Sequence, residues 1–236
     1  MSNHYSIGWD VGGWNCDKNA NSRDSIVILD STGGIVGIPW RNNLREELNS
    51  SNNSQEWIQS LFRLCQAETP KEKFRVTMAI DTPLGFSEEF VALVSDLHPS
   101  GLVGNFRTNA YLFRQTERHL FARGFSPMSA INHQIGSQAT KGMHALAKFT
   151  PHRERCGVWT DGAAVRAIEA YPSASRQTNA VTGLIGRIDL QNEDKQDALV
   201  CAAVAHLFET KPACLDAPPP TVPPREGWIW TPIAGN

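Results

Sequence analysis

Cysteine is scarce and unpaired in this chain. Its 236 residues include five cysteines, an odd number, and no two of them are spaced as Cys-x-x-Cys. A disulfide framework needs cysteines in pairs, and a cysteine-based zinc site needs them close together in the sequence. The composition therefore predicts reduced thiols and a cytoplasmic protein.

Long hydrophobic runs are also missing. The longest apolar stretch, ALVCAAVA at residues 198–205, is far shorter than the roughly 20 residues that cross a bilayer. The N-terminal sequence MSNHYSIGWD has neither the basic segment nor the apolar segment of a secretory signal. We therefore expect no membrane partner.

An excess of positive charge is absent as well. The chain has 22 Lys and Arg against 24 Asp and Glu, which gives a net charge of −2. No global field attracts a polyanion, although a local basic groove would escape such a count. The sequence also lacks the P-loop pattern, the dinucleotide-binding glycine pattern and the His-Glu-x-x-His zinc pattern. These absences exclude a P-loop nucleotide hydrolase and a zinc protease of that type.

The sequence does contain an apolar strand pattern that ends on an acid. Within YSIGWD the large side chains of Tyr5 and Trp9 alternate with the small ones of Ser6 and Gly8, and the small face ends on Asp10. This period of two predicts a β-strand whose small face suits close packing. The glycines of the VGG that follows leave open backbone beside the acid.

A second strand pattern, at residues 74–81, repeats this arrangement. In FRVTMAID the run ends on Asp81, and Pro83 prevents a regular ladder beyond it. If the two strands are parallel neighbours, Asp10 and Asp81 lie side by side at their carboxyl ends. Open α/β sheets bind their ligands at that edge.

Periodicity and punctuation predict the other elements. In chain order they are strands at 25–30 and 34–40 joined as a hairpin, helices at 54–66, 109–124 and 134–149, a short strand within 165–173 and a helix at 192–209. Ser54 is the predicted N-cap of the first helix. The proline-rich C-terminal arm, roughly 216–236, ends in a tryptophan-rich run that we expect to dock as a strand or arm.

The last helix adds two acids to the strand-end pair. Asp194 and Asp197 are spaced to lie on adjacent turns of one helix face. Converging carboxylates repel each other unless a cation or proton holds them, and Mg²⁺ or Mn²⁺ prefers such oxygen ligands. The pattern predicts a metal site suited to phosphodiester hydrolysis. Simpler roles also stay open, because a strand-end Asp can form a turn and Asp194 can stabilise the start of a helix.

The order strand–strand–strand–helix–strand, with acids ending the first and fourth strands and an Asp in a closing helix, resembles the ribonuclease H-like superfamily. More narrowly, GWDVGG, AIDTPLGF, YLFRQTERHLF, IEAYPSA, KQDALVCAAVA and EGWIWTP look like the motifs of an uncharacterised family of predicted ribonuclease H-like nucleases. These motifs span nearly the whole chain in order. The resemblance implies an α/β fold over 1–236 as a single domain, with a five-stranded mixed sheet flanked by helices and a helical insertion, roughly 87–160, after strand four.

The resemblance also implies the residues of a site. Asp10, Asp81 and Asp197 match the ligands of Mg²⁺ or Mn²⁺, and Asp194 is a neighbour of the last of these. Glu169 matches a further acid that would act as a ligand or base. The family usually has another acid where this chain has Gln196. The implied activity is metal-dependent phosphodiester hydrolysis of a nucleic acid.

Three basic residues are candidate phosphate contacts. Arg114 and Arg118 are one helical turn apart in YLFRQTERHLF and could clamp phosphate oxygens. The same helix could equally be an exposed surface with intrahelical ion pairs, and Glu117 could instead join the acids of the site. Lys18, in the loop after the first strand, could fold over the site.

Two other functions stay open. An actin-like or sugar-kinase-like ATP-dependent phosphotransferase belongs to the same superfamily, although such enzymes usually enclose the nucleotide between two domains. A non-catalytic interaction module would keep the fold and use its acids structurally. Saturable ATP binding would favour the first function, and a lack of metal affinity would favour the second.

Overall fold

The computed structural model describes residues 3–186 and 188–233. Within them, one mixed sheet contains the strands β1 Asn3–Asp10, β2 Asp24–Leu29, β3 Trp40–Asn42, β4 Phe74–Asp81, β5 His152–Arg155, β6 Val158–Thr160, β7 Val165–Ala170 and β8 Ile229–Trp230. The helices are α1 Arg45–Ser50, α2 Ser54–Leu64, α3 Glu88–Asp96, α4 Gln115–Ala122, α5 Gly136–Phe149, α6 Pro172–Ser175, α7 Asn179–Ile185 and α8 Glu193–Thr210.

The strand order is β3-β2-β1-β4-β7-β6-β5. The first three strands form an antiparallel meander, while β4 runs parallel to β1 and β7 runs parallel to β4. The β5–β6 hairpin adds antiparallel strands beyond β7, and β8 pairs in parallel with the carboxyl end of β7. The three central strands β1, β4 and β7 therefore end at the same edge of the sheet.

Apolar cores cover both faces of the sheet. On one face, Trp9 and Met78 of the sheet join Trp57 of α2 and Phe149 of α5 in one buried cluster. The Trp57 and Phe149 rings stack with their centroids 5.0 Å apart. On the other face, the small and aliphatic residues of α8 pack on the sheet in a second cluster.

Close packing at Gly8 fixes the position of α8. A β-carbon at residue 8 would lie 1.8 Å from the carbonyl oxygen of Ala198 and 2.4 Å from the backbone nitrogen of Ala202. Helix and strand can approach this closely only because Gly8 has no side chain. The small face predicted for the first strand is therefore the face that α8 covers, and Asp197 is held near the end of β1.

The sheet confirms a mixed α/β fold but is wider than the five strands expected, since it has eight strands within the described residues. The β5–β6 hairpin lies within the segment expected to be a helical insertion, and β8 comes from the C-terminal arm. The short strand β5, with the sequence HRER, is exposed along its length. It therefore lacks the apolar alternation from which a strand could be predicted. Docking of the tryptophan-rich run as a strand is confirmed by the pairing of Ile229 with Glu169.

The second arm of the predicted hairpin is shorter than expected. Residues 34–39 make only an isolated bridge, from Ile35 to Leu29, and the strand β3 begins at Trp40. Gly37 adopts a φ of 70°, outside the strand region. Pro39 cannot donate to a ladder. The chain therefore bends between this bridge and the pairing of β3 with β2.

Two predicted helix starts are also shifted. The helix α2 is capped by Asn53, whose side chain accepts a hydrogen bond from the backbone of Glu56 at 2.9 Å, and not by Ser54. The helix expected from residue 109 begins only at Gln115. An Asx turn replaces its first part, because the Asn109 side chain accepts from the backbone nitrogen of Tyr111 at 2.9 Å. None of the helices within 3–186 and 188–233 has the length and apolar character needed to cross a bilayer.

Candidate active site

Asp10 and Asp81 are directly opposed residues at the carboxyl ends of the parallel strands β1 and β4. Both line a cleft of about 400 Å³ at this edge of the sheet. The arrangement follows from the sequence, because both strands place their acid on the same side of the pleat as the small residues. The strand-end acids are therefore brought together as neighbours.

These two carboxylates are poorly neutralised. Within the described part of the chain, neither accepts a side-chain hydrogen bond or forms an ion pair with Lys, Arg or His. Burial raises the pKa of Asp10 well above its usual range, and the neighbouring charges of Asp81 and Asp197 raise it further. Burial likewise raises the pKa of Asp81 well above its usual range, with added repulsion from Asp197 and Glu169. The pair therefore favours a proton or another cation.

Asp197, in the first turns of α8, faces the same cleft. Its Oδ1 accepts a hydrogen bond from Nη2 of Arg176, the residue that follows α6. Burial raises the pKa of Asp197 to about 6, while the Arg176 charge opposes that shift. Within residues 3–186 and 188–233, no group of three or more His, Cys, Asp and Glu side chains is arranged to hold a metal ion.

Asp194 lines the cleft but is already engaged by protein groups. Its Oδ2 accepts hydrogen bonds from Nε of Arg41 at 2.6 Å and from the backbone nitrogen of Arg23 at 3.0 Å. These contacts tie β3 and the β1–β2 loop to the start of α8. Asp194 therefore has a clear structural role beside Asp197.

Glu169 lines the same cleft from the end of β7, yet both of its oxygens have partners. Arg114 donates to them from Nη1 at 2.8 Å and from Nη2 at 2.6 Å, and the backbone of Leu84 donates at 3.0 Å. Burial raises the pKa of Glu169, and the charge of Arg114 acts against that rise. This bidentate pair holds the cleft wall together.

Arg114 has no donor left for a phosphate. Besides Glu169, its guanidinium donates to the Glu117 carboxylate from Nε at 2.8 Å and from Nη2 at 2.5 Å, and to the carbonyl of Glu226 at 2.9 Å. These contacts account for all five N–H groups of an arginine. The side chain is only 3% exposed. The structure therefore places this candidate phosphate contact in a buried ion-pair network.

The other two basic candidates lie away from the cleft walls. Arg118 donates from Nη2 to the carbonyl of Phe113 at 2.8 Å, and Lys18 is exposed at the end of a short 3₁₀ turn, Cys16–Lys18. Among the described residues that line the cleft there is no Lys or Arg. The structure thus places the four acids Asp10, Asp81, Glu169 and Asp197 along one cleft, with Asp10 and Asp81 as direct neighbours, but not the three predicted basic residues.

The insertion and the residues after β7 complete the cleft. Pro127, Met128 and Gln138 contribute one wall, and Tyr171 contributes another. The Tyr171 hydroxyl donates to the carbonyl of Ser126 at 3.1 Å, which links the two walls. Tyr171 is in the IEAYPSA motif, but nothing in its spacing indicates this link.

A buried ion pair behind Asp10 was not predicted. Lys141 of α5 contacts the Asp24 carboxylate, and both side chains are fully buried. Asp24 also accepts from Nε1 of Trp9 at 3.1 Å and from the backbone of Gly12 at 2.9 Å. This network fixes the loop that leaves β1. The helical pattern of α5 indicates its apolar face but gives no signal that Lys141 points inward.

Comparisons of the chain with protein-family models, with curated proteins and with solved structures gave no match.

Proposed function

We propose that this protein is a metal-dependent phosphodiester hydrolase of ribonuclease H-like fold that acts on nucleic acid. The observation that carries the proposal is the pairing of Asp10 with Asp81 at the edge of a cleft, with neither carboxylate neutralised by a described side chain. Two adjacent, largely buried acids repel each other, and this repulsion disfavours the ionised pair unless a cation is present.

The strand arrangement supports the fold assignment. The neighbours β3, β2, β1, β4 and β7 form a continuous set of five strands within the larger sheet. Along the chain, three strands are followed by helix and then β4, with acids ending β1 and β4; this is the order on which the resemblance to the ribonuclease H-like superfamily rests. In this proposal the β5–β6 hairpin and β8 are additions to that set.

The donor set fits a hard divalent cation. Asp10, Asp81 and Asp197 offer carboxylate oxygens to one cleft, and no thiol or imidazole is among the described lining residues. Such ligands suit Mg²⁺ or Mn²⁺ and suit zinc or copper less well. When bound, the ion would activate a water molecule and stabilise the leaving oxygen of a phosphodiester.

Two further acids of the cleft hold the site in shape. Asp194 anchors the start of α8, which carries Asp197, through its contacts with Arg41 and Arg23. Glu169 is held by Arg114 and keeps the wall beside Asp81 rigid. Both act as positioning residues in this proposal, because protein donors occupy both oxygens of Glu169 and the Oδ2 of Asp194.

The charge of the cleft bears on the substrate. Its described walls carry acids and lack Lys and Arg, so a duplex held by many phosphate contacts is disfavoured. A short or single-stranded substrate needs fewer such contacts. We therefore propose single-stranded nucleic acid as the first substrate class to test.

The test is cleavage of labelled single-stranded oligonucleotides in Mg²⁺ or Mn²⁺ by the wild type, Asp81→Asn and Asp30→Asn. Asp30 follows β2 and caps its own turn, where Asn can take the same role. We expect cleavage by the wild type and by Asp30→Asn, and a loss of roughly 100-fold or more in Asp81→Asn. Equal rates in all three proteins would contradict the proposal.

A non-catalytic interaction module is the second candidate. It is favoured by the observation that no metal-binding group of three or more side chains is formed within 3–186 and 188–233. This alternative predicts no Mn²⁺ affinity in the wild type.

A further inference from the structure

We infer that Arg176 is a phosphate-binding residue of the cleft, which rests on Asp197 in the metal-free protein and leaves it when a divalent cation binds. The inference rests on the proposed function. Arg176 is not itself a lining residue, but it contacts Asp197, which lines a cleft whose described walls lack Lys and Arg. Arg176 was not among the residues that the sequence pointed to.

The contact between Arg176 and Asp197 is accessible and can open. The Arg176 side chain is 37% exposed, in contrast to the 3% exposure of Arg114. Asp197 is 19% exposed, so water competes mainly for the guanidinium, and such a pair is weaker than a fully buried one. Moving Arg176 away from Asp197 therefore costs less free energy than separating Arg114 from Glu169, which are 3% and 2% exposed.

Arg176 is also incompletely satisfied in its present position. Only its Nη2 donates to Asp197, and its Nε is buried without an acceptor among the described residues. Arg114, by contrast, uses every N–H group of its guanidinium. A buried donor without a partner costs free energy, and the guanidinium fork matches two phosphate oxygens. A phosphate group would thus satisfy Arg176 better than Asp197 does.

The charge of Arg176 acts at the proposed metal site. It lowers the pKa of Asp197 and also opposes the rise in the pKa of Asp81, so it reaches both acids. A divalent cation and Arg176 would therefore compete for Asp197. This competition gives a reason why Asp10 and Asp81 form a pair while Asp197 is bound to Arg176. It also gives a reason why the three acids do not form a metal-binding group within the described residues.

Release of Arg176 would put a free guanidinium beside the cation. A phosphodiester brought to the cation presents negatively charged oxygens that the surrounding acids cannot bind. Arg176 would donate to them, because in the metal-free protein it is bound to Asp197, which lines the cleft. The exchange replaces the ion pair between Arg176 and Asp197 with an ion pair between Arg176 and the phosphate. No covalent bond forms or breaks.

The first experiment is calorimetric titration with Mn²⁺ at pH 8, where Asp197, with a pKa of about 6, is ionised. The proteins are the wild type, Arg176→Gln and the control Arg166→Gln. Arg166 is matched in exposure, at 36%, and pairs with Glu154 and Glu209 at the opposite end of β7. We expect Arg176→Gln to bind Mn²⁺ about fivefold more tightly than the wild type does, and Arg166→Gln to bind as the wild type does.

The second experiment uses inorganic phosphate as the probe on the Mn²⁺-loaded proteins. We expect phosphate to bind the wild type and to lose roughly tenfold in affinity or more in Arg176→Gln, because charged hydrogen bonds are lost. Arg176→Lys keeps the charge without the fork, so we expect Mn²⁺ affinity close to the wild type and an intermediate loss of phosphate affinity. This variant also serves if the Gln protein does not fold.

The outcomes separate this inference from the proposed function. If the wild type binds Mn²⁺, but neither Mn²⁺ nor phosphate affinity changes in the Arg176 variants, the role of Arg176 is overturned while the metal site stands. If the wild type binds no Mn²⁺, the proposed function fails and the inference fails with it. Equal changes in Arg166→Gln would show a general charge effect and would also overturn the inference.

Discussion

Gly8 and Ala198 are in close contact: a β-carbon on residue 8 would lie only 1.8 Å from the carbonyl oxygen of Ala198. This contact joins the small face of β1 to α8. Because Asp197 precedes Ala198 in the chain, the same contact fixes where Asp197 lies along β1 relative to Asp10. Packing and site geometry therefore depend on one glycine.

Replacing Gly8 with Ala should destabilise the fold strongly. The added methyl group meets backbone atoms that cannot rotate away, so we expect a loss of about 3 kcal/mol or more in the free energy of unfolding. Gly183→Ala is the control, since Gly183 lies in α7 with nothing near its β-carbon position. There we expect a gain of roughly 0.5–1 kcal/mol. Urea unfolding measures both changes, and similar stabilities for the two variants would contradict the packing described.

The acid pair should make the protein less stable as the pH rises. The pKa values of Asp10 and Asp81 are raised in the folded state, so that state holds these protons more tightly than the unfolded chain does. The resulting stabilisation is complete below about pH 4, the pKa of an unfolded Asp, and is lost as the pH rises through the folded pKa values.

Asp10→Asn tests this pH dependence. We expect its free energy of unfolding to fall less between pH 5 and pH 8 than that of the wild type, and the variant to be the more stable protein at pH 8. Asp96→Asn, an exposed change at the end of α3, should keep the wild-type slope. Parallel slopes for wild type and Asp10→Asn would mean that the pair is not under repulsion.

The buried ion pair of Asp24 and Lys141 should be essential for folding. Lys141→Met leaves a buried carboxylate without its cation, so we expect a loss of about 3–5 kcal/mol. Lys148→Met, on the same helix, removes a partly exposed lysine that donates to the carbonyl of Leu48 at 2.6 Å. Its loss should be about 1 kcal/mol. Thermal unfolding compares the two, and a small effect at Lys141 would show that the pair contributes little.

Arg114 should behave as a structural residue. Because its partners Glu117 and Glu169 are buried with it, we expect Arg114→Gln to lower the free energy of unfolding by about 3–5 kcal/mol. Arg118→Gln, on the next turn, should cost about 1 kcal/mol, since it removes one hydrogen bond to Phe113. A fully stable Arg114→Gln protein would contradict the network described here.

The sequence was informative where a local pattern of large, small or apolar residues was enough to define an element. The alternation in β1 and β4 indicated both strands and the side on which their acids lie, and the alanine-rich run indicated α8. An acid at the end of a strand can be recognised from the local sequence. The parallel pairing of β1 and β4 then brings the two acids side by side. These features therefore depended on short-range patterns that the fold preserved.

The sequence was uninformative where a side chain's partner came from a distant element. Arg114 has the pattern of a surface helix residue, but its partner Glu169 lies 55 positions away. Arg176 and Lys141 likewise gain their roles only from tertiary contacts with Asp197 and Asp24. The β5–β6 hairpin escaped prediction because its exposed first strand has no apolar alternation.

The most direct test of the proposed metal site is calorimetric titration of the wild type and Asp10→Asn with Mn²⁺ at pH 8. We expect saturable binding by the wild type and a loss of at least about tenfold in affinity in Asp10→Asn, because one carboxylate ligand is gone. Asp96→Asn should bind as the wild type does. The absence of binding by the wild type, or equal affinity in wild type and Asp10→Asn, would contradict the assignment of Asp10 and Asp81 as metal ligands.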